Sequence, residues 1–145
     1  MLTQNVDNML EQAGCSDVVH LHGTLTDLRC EECDTVFSIG YEPQSDTVCP
    51  QCESSFVRHN VVMFGENAPA YIYLNRLYNE ADMVVVIGTS GNVIDTAYIA
   101  QLVENSVLNN LDIDENHDQY FSKRIYRPAT EAVDEIVERV EEFLA

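Results

Sequence analysis

Apolar residues recur along this chain at helical spacing in some stretches and in short unbroken runs in others. Residues 3–13 place Val6, Met9, Leu10 and Ala13 on one helical face, and Gly14 stands where such a helix would end. Residues 18–21 form a short apolar run broken by His20, which predicts a strand giving way to a loop at His22-Gly23. From 28 to 58 the periodicity fades into paired cysteines and acidic turns, the signature of a small module of short antiparallel strands. Val61-Val62-Met63-Phe64 predicts a strand stopped by Gly65, and a helix follows Pro69 with Ile72, Leu77, Tyr78 and Ala81 on its buried side.

Residues 83–87 are all apolar and mostly β-branched, as in a strand covered on both faces. This run enters Gly88-Thr89-Ser90-Gly91, and a helical pattern resumes over 94–103. Residues 107–113 predict another short strand. A closing helix over 131–144 is expected to bury Val133, Ile136, Val137, Val140 and Phe143, with Thr130 as its N-cap. Strand, small-residue loop and helix in succession predict an α/β fold with a doubly wound parallel sheet.

Composition adds limits. At 145 residues, 46% of them hydrophobic, the chain has the size and apolar content of one globular domain. No apolar run approaches the roughly 18 residues needed to span a bilayer, and no signal segment opens the chain, so a cytoplasmic protein with no membrane partner is expected. Acidic residues number 25 against 7 basic ones. A field of that sign repels nucleic acid phosphates and favours lysine-rich proteins as partners.

The chemistry with the clearest spacing lies in the cysteines. Cys30 and Cys33 form one C-x-x-C pair, Cys49 and Cys52 another, and Cys15 stands alone. Two such pairs separated by a short loop have the spacing of a zinc site with four thiolate ligands. Each pair aims two sulfurs from one tight turn, and four sulfurs complete a tetrahedron with no position left for water or substrate. The expected role is therefore structural, with one zinc ion holding a module too short to bury a core of its own.

The remaining candidates are individually ambiguous. Thr3-Gln4-Asn5-Val6-Asp7 reads by itself as helix capping. His22 before a glycine could serve as a general base, with His20 an equal rival. Gly88-Thr89-Ser90 after a buried strand could cradle a phosphate or ribose, though it lacks the spacing of the dinucleotide fingerprint. Phe64-Gly65-Glu66 could be an ordinary strand end.

Their order along the chain is far more specific. Gln4-Asn5-x-Asp7, His22-Gly23, the two C-x-x-C pairs, Val61-x-x-Phe64-Gly65-Glu66 and Gly88-Thr89-Ser90 together resemble the sirtuins, which are NAD-dependent protein lysine deacylases. The resemblance implies a partial Rossmann-like domain over 1–27 and 59–145, with the zinc-binding module inserted at 28–58. It implies that Gln4, Asn5 and Asp7 line the pocket for nicotinamide and its ribose, and that His22 rather than His20 is the catalytic base. It implies peptide and acyl-lysine contacts at Val61, Phe64, Gly65 and Glu66. It places Gly88, Thr89 and Ser90, with Asn110 and Ala129, against the adenosine half of NAD.

Sirtuins also open with a glycine-rich phosphate loop of the Gly-Ala-Gly-x-Ser type and a mobile Gly-x-Pro-x-Phe-Arg segment, and this sequence has neither. The resemblance therefore predicts a truncated chain that binds NAD poorly and turns over slowly or not at all. The alternative is a non-catalytic zinc-ribbon interaction module that descends from a sirtuin.

Overall fold

The computed structural model describes residues 1–45 and 47–145; Asp46, within the expected zinc module, lies outside the described residues. The chain divides into two compact units, residues 1–73 and 74–145.

In the first unit, a two-stranded parallel pair joins β1 (Leu2–Thr3) to β2 (Val19–His20). Between them lies α1 (Met9–Gln12), much shorter than the helix expected over 3–13. The difference has a local cause. The Thr3 hydroxyl accepts from the Asn5 N–H at 3.1 Å and the Asp7 carboxylate from the Met9 N–H at 3.0 Å. Such side-chain bonds hold the backbone in turns and compete with helix.

The expected strand does end in a turn, at Leu21-His22, but Gly23 already starts a long strand, β3 (Gly23–Cys30). It is the middle of an antiparallel sheet with β4 (Val36–Ser38) and β5 (Val57–Val61) on either side. Pairing is irregular between Thr24 and Leu28, where β3 carries extra residues opposite the Asn60–His59 step. The strand expected over Val61 to Phe64 thus lies four residues earlier, ending at Val61, because the chain after Val61 turns away. The Val62 N–H reaches the His22 carbonyl at 2.9 Å, and the Met63 N–H is taken by Glu66 at 3.0 Å. A 3-10 turn over Pro69–Tyr73 closes the unit.

The second unit opens with α2 (Leu74–Glu80), whose buried residue is Leu74, while Ile72 of the preceding turn is exposed rather than buried. Three parallel strands follow in the order β6 (Met83–Ile87), β7 (Asn105–Asn110) and β8 (Lys123–Tyr126). Helix α3 (Thr96–Gln101) connects the first two strands and α4 (Glu115–Asp118) the next two. The strand buried on both faces is β7, with Ser106 to Asn109 inaccessible, whereas β6 lies at the edge of this sheet beside β7 and leaves Ile87 exposed. Strand β8 has no strand signal in its sequence: Lys-Arg-Ile-Tyr carries one core residue, Ile125, and its two charges hide the pattern.

The core joins Val107, Ile125, Ala132 and Ile136, flanked by Met83 and Val85. Helix α5 (Ala129–Leu144) starts earlier than expected, because the Pro128 carbonyl already accepts from the Glu131 and Ala132 N–H groups. Its buried line is Ala132 and Ile136, while Val133 and Val137 stay about half exposed. Glu135 on α5 pairs with Lys123 at 2.6 Å and with Arg127, fixing the helix to the end of β8. No helix among the described residues is long and apolar enough to cross a membrane.

Candidate functional site

The four cysteines of the two C-x-x-C pairs meet, with all four sulfurs within 4.8 Å of one another. Each pair forms the same knuckle. In the first, the Cys30 N–H bonds to the Thr35 carbonyl and the Asp34 N–H to the Cys30 carbonyl. In the second, the Cys49 N–H bonds to the Ser54 carbonyl and the Glu53 N–H to the Cys49 carbonyl. In both, the residue after the second cysteine adopts the left-handed conformation, at φ 57° for Asp34 and 59° for Glu53. Non-glycine residues rarely do so, and here it turns the chain back so that the next carbonyl, of Thr35 or Ser54, meets the N–H of the first cysteine.

Sulfur pairs Cys30–Cys52 and Cys33–Cys49 stand 3.6 Å apart. Disulfide sulfurs would lie about 2.0 Å apart. Four sulfurs around one zinc at about 2.3 Å would be separated by about 3.8 Å, which the cluster matches. The close approach of the sulfurs also separates their protonation. The Thr35 hydroxyl and backbone hold the Cys33 thiol down to about 6. A backbone hydrogen bond from Ser54 favours the Cys52 thiolate, but the Cys33 sulfur, burial, and the other two cysteines push it up to about 12. The two shifts run in opposite directions because sulfurs this close resist ionising together, and a divalent cation among them would remove that conflict.

His20 and His22 face the segment that follows β1. The His20 Nδ1 bonds to the Asn5 carbonyl at 2.9 Å and its Nε2 to the Glu11 carboxylate at 2.8 Å. Burial works against the charged ring, but Asn5 and Glu11 outweigh it and raise His20 above its ordinary value. Both ring nitrogens are spent on structure. His22 differs. Its Nδ1 lies 3.1 Å from the Gln4 carbonyl, an acceptor only, so Nδ1 carries the proton. Its Nε2 is then the basic nitrogen, and it meets the Tyr71 hydroxyl at 2.8 Å. Successive carbonyls of Gln4 and Asn5 thus sort the two histidines, and the parallel pairing Leu2–Val19 and Thr3–His20 sets that register. Asn5 and Asp7 are exposed and Gln4 half-buried.

Val61 ends β5, and Phe64, Gly65 and Glu66 form the turn beyond it, with Phe64 fully exposed. Glu66 holds that turn: it accepts from the Met63 N–H and pairs with Arg58 at 2.6 Å, and Arg58 also donates to the Val61 carbonyl at 2.9 Å. The Met63 N–H first, and the Arg58 guanidinium second, keep the Glu66 carboxyl below the ordinary 4.5. A carboxyl depressed in the folded state contributes stability above its unfolded value and loses it as pH falls through the folded value. Protection of the Met63 amide in an NMR hydrogen-exchange titration should therefore hold from neutral pH down to 4.5 and weaken only below it. Weakening that begins near neutral pH would assign the turn to another group.

In the second unit, Gly88, Thr89 and Ser90 follow the carboxyl end of β6. Asn110 at the end of β7 binds the Thr89 backbone twice, accepting from its N–H at 3.1 Å and donating to its carbonyl at 2.9 Å. Ala129 is the exposed first residue of α5. Loops at the carboxyl ends of parallel strands are where such sheets take nucleotides, and this one offers exposed backbone at Gly88 with open space beside it.

Several organising residues carry no sequence signal. Buried Asn109 donates to the Ile125 and Arg127 carbonyls, both at 2.9 Å. His117 joins Asp118 at 2.9 Å and the Thr96 hydroxyl at 2.8 Å, and Tyr126 donates to Asp118 at 2.9 Å. Burial alone would raise Asp118, but the bonds from His117, the Asp114 backbone and Tyr126 hold it low. These bonds link residues far apart along the chain, or reach across a turn, where no spacing rule applies.

The profile of the Sir2 family matches residues 1–95. An NAD-dependent protein deacylase of Campylobacter jejuni (strain RM1221) is 46% identical over 144 residues, 99% of this chain and 62% of that protein. A Sir2 homologue solved as an ADP-ribose complex superposes with a TM-score of 0.80 at 32% identity, over 99% of this chain and 60% of that one. A Sir2 structure holding 2′-O-acetyl-ADP-ribose and a deacetylated p53 peptide superposes at 0.74 with 25% identity, over 97% and 64%. The chain therefore spans about 62% of the length of that deacylase, and it shares the fold of these Sir2 structures. It belongs to the Sir2 family.

Proposed function

We propose that this chain carries the base-bearing and peptide-binding part of an NAD-dependent protein lysine deacylase. The observation that supports this most is the fixed tautomer of His22. A general base must hold an unprotonated nitrogen in a set direction, and the Gln4 carbonyl enforces that by occupying Nδ1–H.

NAD would supply the ribose carbon that takes the acyl oxygen as nicotinamide leaves, so that the products are free lysine, nicotinamide and an acylated ADP-ribose. In this reading His22 accepts the proton of a ribose hydroxyl at Nε2. Gln4, Asn5 and Asp7 serve the nicotinamide ribose. Gly88, Thr89 and Ser90 serve the adenosine half with Ala129, and Asn110 acts by holding the Thr89 backbone. The acyl-lysine peptide lies along Val61, Phe64 and Gly65 as an added strand, a mode that draws affinity from backbone pairing. Glu66 supports that edge through Arg58. One zinc ion on Cys30, Cys33, Cys49 and Cys52 has a structural role, since four thiolates leave no open coordination position. The acidic surface favours basic protein partners over nucleic acid or anionic membrane, and the enzyme would act in the cytoplasm.

Nicotinamide release tests the reading directly. Release should require both NAD and an acetyl-lysine peptide, and each omission should abolish it. Release that is indifferent to the peptide would mark simple NAD hydrolysis. Absence of both NAD binding and release would favour a zinc-ribbon interaction module.

A further inference from the structure

We propose that the Tyr71 hydroxyl caps the basic nitrogen of His22, standing where the substrate hydroxyl must later bind, and so acts as a positioning residue for the base. The inference rests on His22 being that base. Its grounds are geometric. With Nδ1–H committed to the Gln4 carbonyl, Nε2 has one lone pair, and the hydroxyl 2.8 Å away must donate to it. The two rings tilt against each other at 42° with centroids 5.8 Å apart, so Tyr71 also fixes the plane of the imidazole. Burial raises the Tyr71 phenol above its ordinary value, which keeps it protonated and able to donate. Tyr71 sits in the 3-10 turn over Pro69–Tyr73, a short element with no buried residue of its own, so the hydroxyl can withdraw without breaking a core.

A single lone pair accepts one strong hydrogen bond. The phenol and an incoming ribose hydroxyl are therefore exclusive, and the phenol yields as the substrate arrives. Until then it spares Nε2 from disordered water and holds the ring in one orientation, a form of preorganisation.

The test is carbethoxylation of the histidines by diethyl pyrocarbonate in the full chain, mapped by peptide mass spectrometry. The reagent attacks an unprotonated imidazole nitrogen and needs its lone pair. Tyr71→Phe keeps the ring and removes only the hydroxyl. The His22 rate should rise about fivefold, the weight of one ordinary hydrogen bond. His20 is the internal control, because its partners, the Asn5 carbonyl and Glu11, are untouched. In parallel, the 15N resonance of His22 Nε2 should move downfield as it loses its donor. An unchanged His22 rate and resonance would overturn the proposal. So would equal acceleration at both histidines, which would mean general loosening. Neither readout needs NAD, so failure of the cap is separable from failure of the deacylase reading, which nicotinamide release decides.

Discussion

Replacing Cys49 by serine is expected to abolish zinc binding and unfold the sheet that the two knuckles close. Cys30 and Cys49 are the buried members of the cluster, with no accessible surface, while Cys33 and Cys52 lie at its rim. A serine hydroxyl stays protonated near neutral pH and cannot replace a thiolate, so three soft ligands and a gap remain. Structural zinc sites of this kind contribute apparent binding free energies of about 10–16 kcal/mol. A whole domain is stable by only about 5–15 kcal/mol. The module has little else to hold it, since among its described residues Leu28 is the one large fully buried side chain besides the cysteines, and Val36, Val48 and Phe56 are exposed. Zinc content should fall from one ion per chain to none, and amides across β3 to β5 should lose exchange protection. Protection in β6 to β8 should persist, because that sheet has its own core at Val107, Ile125, Ala132 and Ile136. Retention of a full zinc equivalent in the variant would remove the assignment.

How far the sequence reveals this site depends on whether its chemistry is local. The four-cysteine cluster is readable because each knuckle is a turn of six residues, and two copies can be seen side by side: Cys-x-x-Cys-Asp-Thr and Cys-x-x-Cys-Glu-Ser. The acid in the left-handed position gives no warning, as glycine or asparagine would be the usual choice. Strand β6 and helix α3 are readable because their patterns persist over several residues. Strand β8 is not, since its neighbour β7 covers it and only Ile125 needs to be apolar. The choice between His20 and His22 shows the limit most clearly. Both stand in one short run, and family resemblance alone separates them at the level of sequence. The physical difference lies in partners at Gln4, Asn5, Glu11 and Tyr71, brought together by a parallel pairing only two residues long.

Gly23→Ala is expected to disturb His22 without touching its side chain. Gly23 has φ 78°, a conformation that a side chain resists. A methyl group there would sit 1.8 Å from the Asn60 carbonyl oxygen and 2.9 Å from its carbon. Both are backbone atoms, and they belong to β5, which is paired with β3 at Gly23–Val61 and Thr24–Asn60. No rotamer change relieves the overlap, so the strands must part. Overpacking and left-handed strain each cost about 1–3 kcal/mol, and together about 2–6 kcal/mol, which is large for one methyl. The hydrogen bond nearest the overlap breaks first: it runs from the Val62 N–H to the His22 carbonyl at 2.9 Å. Separation there would turn the His22 ring away from Gln4 and would shift the chain that leads to Phe64. The variant should unfold at a denaturant midpoint well below wild type, and should show faster carbethoxylation of His22 even where it remains folded. Wild-type stability together with unchanged His22 reactivity would mean that β3 and β5 can separate at this step without cost, and that Gly23 has no part in aiming the histidine beside it.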